Sequence, residues 1–134
     1  MFEKPRSEKG FLTGRVVVIE DDDNVRRSLT MMLRARGFTV EVYRSGVELL
    51  SNRTPIDAHC MLVDYKMPRV DGLTLLSRLR EAGNVTPALM MTGFFSSTLR
   101  GRALDAGYSE VLEKPMHSAS LMSWISGTIA PAAV

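Results

Sequence analysis

The sequence has little of what marks secreted, membrane-spanning or nucleic-acid-binding chains. It contains one cysteine, Cys60, in 134 residues, so an internal disulfide is excluded. No apolar run approaches the roughly 18 residues that a membrane-spanning helix needs, and the first residues lack the apolar core of a signal peptide. Seventeen basic and 15 acidic residues give a net charge of +2, too small to favour nonspecific nucleic-acid binding. These absences predict a cytoplasmic domain that contacts neither a membrane nor nucleic acid.

What the sequence does contain is an alternation of short apolar runs and segments of helical periodicity. Its length and its hydrophobic content of 45% suit one domain with a single core. The apolar runs predict five strands, at residues 15–19, 38–43, 59–64, 87–92 and 108–113. A helix is predicted after each strand, with caps at Asp23, Ser45, Asp71, Ser96 or Ser97, and Ser118. We expect the fourth helix to turn Leu99, Ala103 and Leu104 inward.

Polar residues follow four of the five predicted strands. Strands separated by helices predict a parallel sheet covered on both faces, and chemistry in such folds gathers at the carboxyl ends of the strands. These positions hold Glu20, Asp21, Asp64, Thr92 and Lys114. We therefore expect these five side chains to face one crevice.

The acids at this edge indicate a cation site. Two carboxylates 4 Å apart repel each other by about 4 kcal/mol when the effective dielectric constant is near 20, so three need a cation or extra protons. Hard oxygen ligands suit Mg²⁺. A hydroxyl at Thr92 and an ammonium at Lys114 would complement a phosphoryl group carried by a carboxylate, and Asp64 is the natural carrier.

Four motifs lie at strand ends in a characteristic order: VIEDD, LVDYKMP followed by DG, MMTG, and EKP. In this combination the chain resembles the receiver domains of two-component response regulators, over about residues 15 to 128. The resemblance implies an α/β, flavodoxin-like (βα)5 fold, with a parallel five-stranded sheet in the order 2-1-3-4-5 and helices on both faces. We expect residues 14–129 to form the receiver domain, with a flexible segment at 1–13 and a tail at 130–134.

The resemblance also implies a role for each acid. Asp64 is the expected phosphoacceptor, and Glu20, Asp21, Asp64 and the backbone carbonyl of Lys66 are the expected ligands of Mg²⁺. Thr92 and Lys114 are expected to bind the phosphoryl group. Such a domain catalyses only its own phosphorylation and dephosphorylation, so we do not expect an enzyme.

The sequence departs from the family pattern three residues before the expected lysine, where Val111 replaces the aromatic residue that rotates in many receivers. Tyr108 lies on the same predicted strand at a different offset. Phe94 and Phe95 are further candidates for the role of this aromatic residue. Lys66 and Phe94 flank the expected path of attacking water and offer no acid or amide to orient it. We expect Phe94 to shield the phosphoryl group and lengthen its lifetime.

Two partner surfaces are expected from the same resemblance. The surface on which a sensor histidine kinase or a histidine phosphotransferase would dock comprises Asp22, Asn24, Val25, Ser28, Met116 and His117, the last two after a proline expected to follow a cis peptide bond. The face of helix 4 and strand 5 would report activation to a partner or form a homodimer. No output domain is visible before the chain ends, which leaves open a stand-alone receiver or a piece of a longer protein.

Other functions remain alternatives. An aspartyl-phosphate phosphotransferase or phosphatase uses the same groups, but it usually places a second acid where this chain has Lys66. A nucleotide- or flavin-binding module of similar fold lacks support because no glycine-rich phosphate loop is present. A degenerate receiver that acts only as an interaction module is disfavoured because all five site positions hold competent residues.

Several residues are interpreted as structural. Asp22 and Asp23 cap and charge the first turn of helix one, with Asp23 as the preferred cap. His59 and His117 have no cysteine at zinc-binding spacing. Cys60 and the nine methionines, on strands and on helix faces, are predicted to fill the core, and the arginines of helix one to form a solvated face.

Overall fold

Five strands and five helices alternate along the chain in a computed structural model that describes residues 14–52 and 54–129. The predicted N-terminal segment and tail lie outside the described residues. The elements are β1 (Arg15–Ile19), α1 (Asp23–Ala35), β2 (Thr39–Tyr43), α2 (Gly46–Ser51), β3 (Cys60–Asp64), α3 (Gly72–Glu81), β4 (Ala88–Thr92), α4 (Ser97–Ala106), β5 (Glu110–Glu113) and α5 (Ser118–Ile129). None of these helices is long and apolar enough to cross a membrane.

The strands form one parallel sheet in the order β2-β1-β3-β4-β5. This confirms the predicted fold class. The side chains of β1 alternate between two hydrophobic cores, with Val17 and Ile19 on one face and Val16 and Val18 on the other. Helices α2, α3 and α4 cover the first face, and α1 and α5 cover the second. Both faces are buried, which explains why the strands are continuous apolar runs rather than alternating ones.

The cysteine and the strand methionines lie in these cores, as predicted, but the prediction was wrong for Met31, which is 67% exposed on α1. Met61 and Met90 pack on one face of the sheet, and Cys60 and Met91 pack on the other. Burial raises the pKa of the Cys60 thiol to about 12, so the group is inert under ordinary conditions.

The cap of α1 is Asp22, so the prediction of Asp23 was wrong. The side chain of Asp22 accepts a hydrogen bond from the backbone N–H of Val25 at 3.0 Å. Asp23 is already the first helical residue, and its carboxylate pairs with Arg26 instead. The cap is the residue at which the backbone changes from extended to helical. In an unbroken run of acids, the sequence does not show which residue this is.

The other predicted caps differ in outcome. Ser45, Asp71 and Ser96 each accept a hydrogen bond from the backbone N–H three residues later, as expected. Ser118, predicted as a cap, is the first residue of α5, and the carbonyl of His117 accepts the first hydrogen bonds of that helix.

The end of α4 corrects two further expectations. Leu104 is 36% exposed, because α4 turns Leu99 and Ala103 to the core and the next residue is rotated by about 100°. Strand β5 begins at Glu110 rather than at residue 108. Gly107, with φ of 114°, ends the helix, and the N–H of Tyr108 bonds back to the carbonyl of Ala103, so Tyr108 belongs to the helix end.

Candidate functional site

The register of the sheet brings the predicted polar residues to one edge. Ile19 pairs with Val63, so the residue after each, Glu20 or Asp64, lies at the same level of adjacent strands. Thr92 pairs with Glu113 on the neighbouring strand, and Lys114 follows directly.

Three carboxylates meet at this edge. One oxygen from each of Glu20, Asp21 and Asp64 lies within 4.8 Å of the others. Glu20 and Asp64 are buried, whereas Asp21 is exposed. Burial, a hydrogen bond with Asp21 and the charge of Glu20 together raise the pKa of Asp64 to about 8, although Lys114 opposes the shift. The three acids therefore resist simultaneous ionisation unless a further cation is present.

Lys114 supplies a positive charge to two of the acids. Its Nζ lies 2.7 Å from Oε1 of Glu20 and 3.0 Å from Oδ1 of Asp64. Burial alone would lower the pKa of Lys114, but its close contacts with the carboxylates of Glu20 and Asp64 raise the value above the ordinary one. The Lys114–Pro115 peptide bond is cis, as predicted.

The orientation of Glu20 is set by the start of α1. Its Oε2 accepts a hydrogen bond from the backbone N–H of Asp22 at 3.0 Å, and Arg26 donates to its backbone carbonyl at 2.9 Å. Oε1 is buried, forms an ion pair with Nζ of Lys114 at 2.7 Å, and accepts no hydrogen bond from another group among the described residues. A buried oxygen with spare acceptor capacity, beside two further carboxylates, fits a hard divalent cation.

The other predicted site residues flank this cluster. Thr92 is buried, and its Oγ1 accepts a hydrogen bond from the N–H of Phe94 at 2.9 Å, which leaves its hydroxyl hydrogen free to donate elsewhere. Lys66 and Phe94 are both exposed, and Nζ of Lys66 lies 4.7 Å from the ring centroid of Phe94. This distance is that of a cation–π contact.

A groove of about 460 Å³ borders the acidic edge between the start of α1 and the start of α5. Four of the six predicted docking residues line it: Asn24, Val25, Ser28 and Met116. Of the remaining two, Asp22 is exposed at the cap of α1, and His117 lines an adjacent depression.

Comparison with known proteins identifies the family. The sequence model of the response regulator receiver domain matches residues 16–126. The chain belongs to this family. It is 33% identical over 114 residues to the transcriptional regulatory protein FixJ of Azorhizobium caulinodans, covering 85% of this chain and 54% of that protein. It is 37% identical over 109 residues to the response regulator MprA of Mycobacterium ulcerans, covering 81% and 47%.

The solved structures show the same fold. A two-component response regulator from Clostridium difficile superimposes with a TM-score of 0.82 over 87% of this chain and 96% of that chain, at 18% identity. At 18% sequence identity, this similarity shows a shared fold alone. This receiver domain spans about half the length of the two curated relatives.

Two contacts of the receiver domain were missed by the sequence analysis. The ion pair of Glu20 with Lys114 was not expected, because Glu20 was assigned to the metal alone. The hydroxyl of Tyr108 donates a buried hydrogen bond to the carbonyl of Gly72 at 2.7 Å, across 36 positions of the chain. The glycine of the DG motif signals only a close approach to the backbone of Asp64, because a Cβ at Gly72 would lie 2.8 Å from the carbonyl oxygen of Asp64.

Proposed function

We propose that this receiver domain accepts a phosphoryl group on Asp64, from a histidine kinase or a histidine phosphotransferase, in a Mg²⁺-dependent reaction. The observation that supports this most strongly is the position of Asp64, which lies between two further carboxylates and the ammonium of Lys114. An acid that served only to stabilise the fold would not need both a cation and two like charges beside it.

Each side chain of the cluster has a part in the transfer. A carboxylate oxygen of Asp64 forms the new bond to phosphorus as the bond from phosphorus to the donor histidine nitrogen breaks. The ammonium of Lys114, now 3.0 Å from Oδ1 of Asp64, can pass to a phosphoryl oxygen with a small movement. The hydroxyl of Thr92 can donate to another phosphoryl oxygen. Glu20 holds Lys114 at the edge before and during transfer.

The cation would be held mainly by Asp21 and Asp64, with Glu20 and the backbone carbonyl of Lys66 beside them. When bound, Mg²⁺ supplies neutralising charge to the transferred phosphoryl oxygens. Its presence would also allow Asp64 to be ionised at neutral pH.

The direct test is chemical phosphorylation. The protein is incubated with acetyl phosphate and Mg²⁺, and its intact mass is measured with Asp64→Asn and, as a matched control at an exposed acid, Asp57→Asn. We expect one phosphoryl group on the wild type and on the control, and none on Asp64→Asn. Modification of Asp64→Asn to the wild-type extent would contradict the assignment. Continuous turnover of added phosphoesters would favour an aspartyl-phosphate enzyme instead.

The lifetime of the phosphoryl group is proposed to depend on Phe94. Its backbone N–H donates to Thr92 of the site, and its exposed ring lies under Nζ of Lys66, from where it can exclude the attacking water. Replacing Phe94 with Glu should accelerate loss of phosphate, because a carboxylate can orient water. Phe95→Glu, at the adjacent exposed aromatic, is the control. Equal decay rates for the wild type and Phe94→Glu would contradict this role.

The groove between α1 and α5 is proposed as the docking surface for the phosphoryl donor. It opens beside Lys114 and is lined by apolar and small polar side chains. Substitutions at Asn24 and Val25 should change which kinase of a panel transfers its phosphoryl group fastest. Substitution of the exposed Val85 should not change this order. Unchanged transfer rates across the panel would argue against this surface.

The output is proposed to be a change in partner binding at the face of α4 and β5, either to another protein or to a second copy. Leu104, which was expected in the core, is exposed on α4 and would be available there. We place the domain in the cytoplasm, where such donors act on their regulators.

A further inference from the structure

The hydroxyl of Tyr108 joins the end of α4 to the start of α3. It donates to the carbonyl of Gly72 at 2.7 Å, and the bond is buried. Burial raises the pKa of the Tyr108 hydroxyl, so the group stays protonated and remains a donor. A buried donor that loses its partner costs more than an exposed one, so the two ends of this bond tend to move together.

At the other end of the bond, Gly72 packs against the backbone of Asp64, the expected phosphoacceptor. The N–H of Gly72 donates to the carbonyl of Tyr65 at 2.7 Å. A Cβ on Gly72 would lie 2.8 Å from the carbonyl oxygen of Asp64 and 3.1 Å from Cα of Tyr65. The backbone that carries Asp64 therefore cannot shift without moving Gly72 or loosening this contact.

The Tyr108 end is fixed to α4. The N–H of Tyr108 donates to the carbonyl of Ala103 at 3.0 Å, and the ring packs in the same core as Leu99 and Ala103. The other candidates for an aromatic switch lack such a link. At the usual position of the aromatic residue, Val111 is buried and has no polar side-chain group. The two phenylalanines, Phe94 and Phe95, are 62% and 42% exposed.

We propose that Tyr108 is a positioning residue that couples the backbone of Asp64 to α4 through its bond to Gly72. The inference rests on the proposed function, because it concerns the response of the fold to modification of Asp64. A phosphoryl group adds about two negative charges at Asp64 and draws Thr92 and Lys114 toward it. The resulting shift of the segment from Asp64 to Gly72 moves the acceptor of the Tyr108 hydroxyl. Helix α4 moves with it, and its outer face changes.

The first test places a probe on the ring. The chain has three tyrosines, so 3-fluorotyrosine gives three fluorine resonances, assigned by Tyr43→Phe and Tyr65→Phe with Tyr108 by elimination. Beryllofluoride with Mg²⁺ serves as the stable phosphoryl analogue, and its own bound fluorine signal reports occupancy. We expect the Tyr108 resonance to shift on saturation. Tyr43 is buried and its hydroxyl accepts from Asn52 at 2.6 Å, so its resonance should stay in place.

The second test removes the hydroxyl. In the wild type, saturation with beryllofluoride should change hydrogen exchange of the α4 amides. In Tyr108→Phe we expect the analogue to bind still, with the α4 response weakened by about fivefold, the factor expected for one net hydrogen bond. Tyr43→Phe, which loses the part-buried hydroxyl that accepts from Asn52, should respond like the wild type.

The outcomes separate the two proposals. Bound analogue with an unmoved Tyr108 resonance, or an unchanged α4 response in Tyr108→Phe, would overturn the coupling role and leave the phosphoacceptor intact. If Tyr108→Phe does not fold, the fluorine measurement on the wild type decides alone. Absence of any bound analogue on the wild type would overturn the proposed function, and the inference with it.

Discussion

Two ion pairs at opposite ends of the sheet have the same length and opposite surroundings. At the carboxyl edge, Lys114 Nζ lies 3.0 Å from Asp64 Oδ1, and at the amino edge an Arg15 guanidinium nitrogen lies 3.0 Å from Asp57 Oδ1. The side chains of Lys114 and Asp64 are 20% and 6% exposed, whereas those of Arg15 and Asp57 are 50% and 85% exposed. Distance alone therefore does not distinguish a functional pair from a surface one.

Burial makes the difference between these pairs. An exposed pair gains little, since water and salt screen the charges. Taking Lys114 and Asp64 out of water costs free energy that their attraction only partly offsets, and hydrophobic residues of similar size would serve stability as well. A buried pair next to two further acids is thus evidence for chemistry at the carboxyl edge, and the amino edge is the internal control.

Removing the cation from each pair should give the largest contrast. Lys114→Met leaves Glu20 and Asp64 buried without a positive partner, and we expect a loss of about 3 kcal/mol in the free energy of unfolding. Arg15→Met should cost no more than about 1 kcal/mol. Urea unfolding without Mg²⁺ measures both values. Equal losses for the two variants would mean that the carboxyl edge is an ordinary surface cluster.

A smaller contrast is expected in the dependence of stability on pH. The folded pKa of Asp64 is raised to about 8 from an ordinary 3.8, so the folded state holds a proton that the unfolded state releases between these values. The metal-free protein should therefore lose stability as the pH rises from about 5 toward 8. Asp64→Asn should flatten this slope, and Asp57→Asn should retain it. Thermal unfolding in chelator across this range checks the sign, and a rise in stability over it would contradict the account.

The run of acids at the carboxyl edge contains both structural and site residues. Asp22 and Asp23 belong to the start of α1, whereas Glu20 and Asp21 belong to the carboxylate cluster. Asp22→Ala removes the cap of α1 and should cost about 1 kcal/mol. Asp23→Ala should cost less, since its pairing with Arg26 lies at the surface. Denaturant unfolding orders the two variants. A larger loss for Asp23→Ala would show that the helix begins elsewhere.

The fold and the polar edge could be predicted because they depend on local patterns. Apolar runs marked the strands. The carboxyl ends of parallel strands lie at the same edge of the sheet, whatever the order of the strands. Three of the failures have a different origin. The cap of α1 depended on a backbone turn within four consecutive acids, and the exposure of Leu104 on the rotation of one helix. The bond of Tyr108 joins segments 36 residues apart, which no local pattern contains.

The central claim is that Asp21, Asp64 and Glu20 form one cation site, and calorimetric titration with Mg²⁺ tests it most directly. We predict saturable binding of one ion by the wild type and by Asp57→Asn, with the affinity of Asp21→Asn reduced by about tenfold or more. Binding by Asp21→Asn with the wild-type affinity, or no saturable binding by the wild type, would contradict the claim.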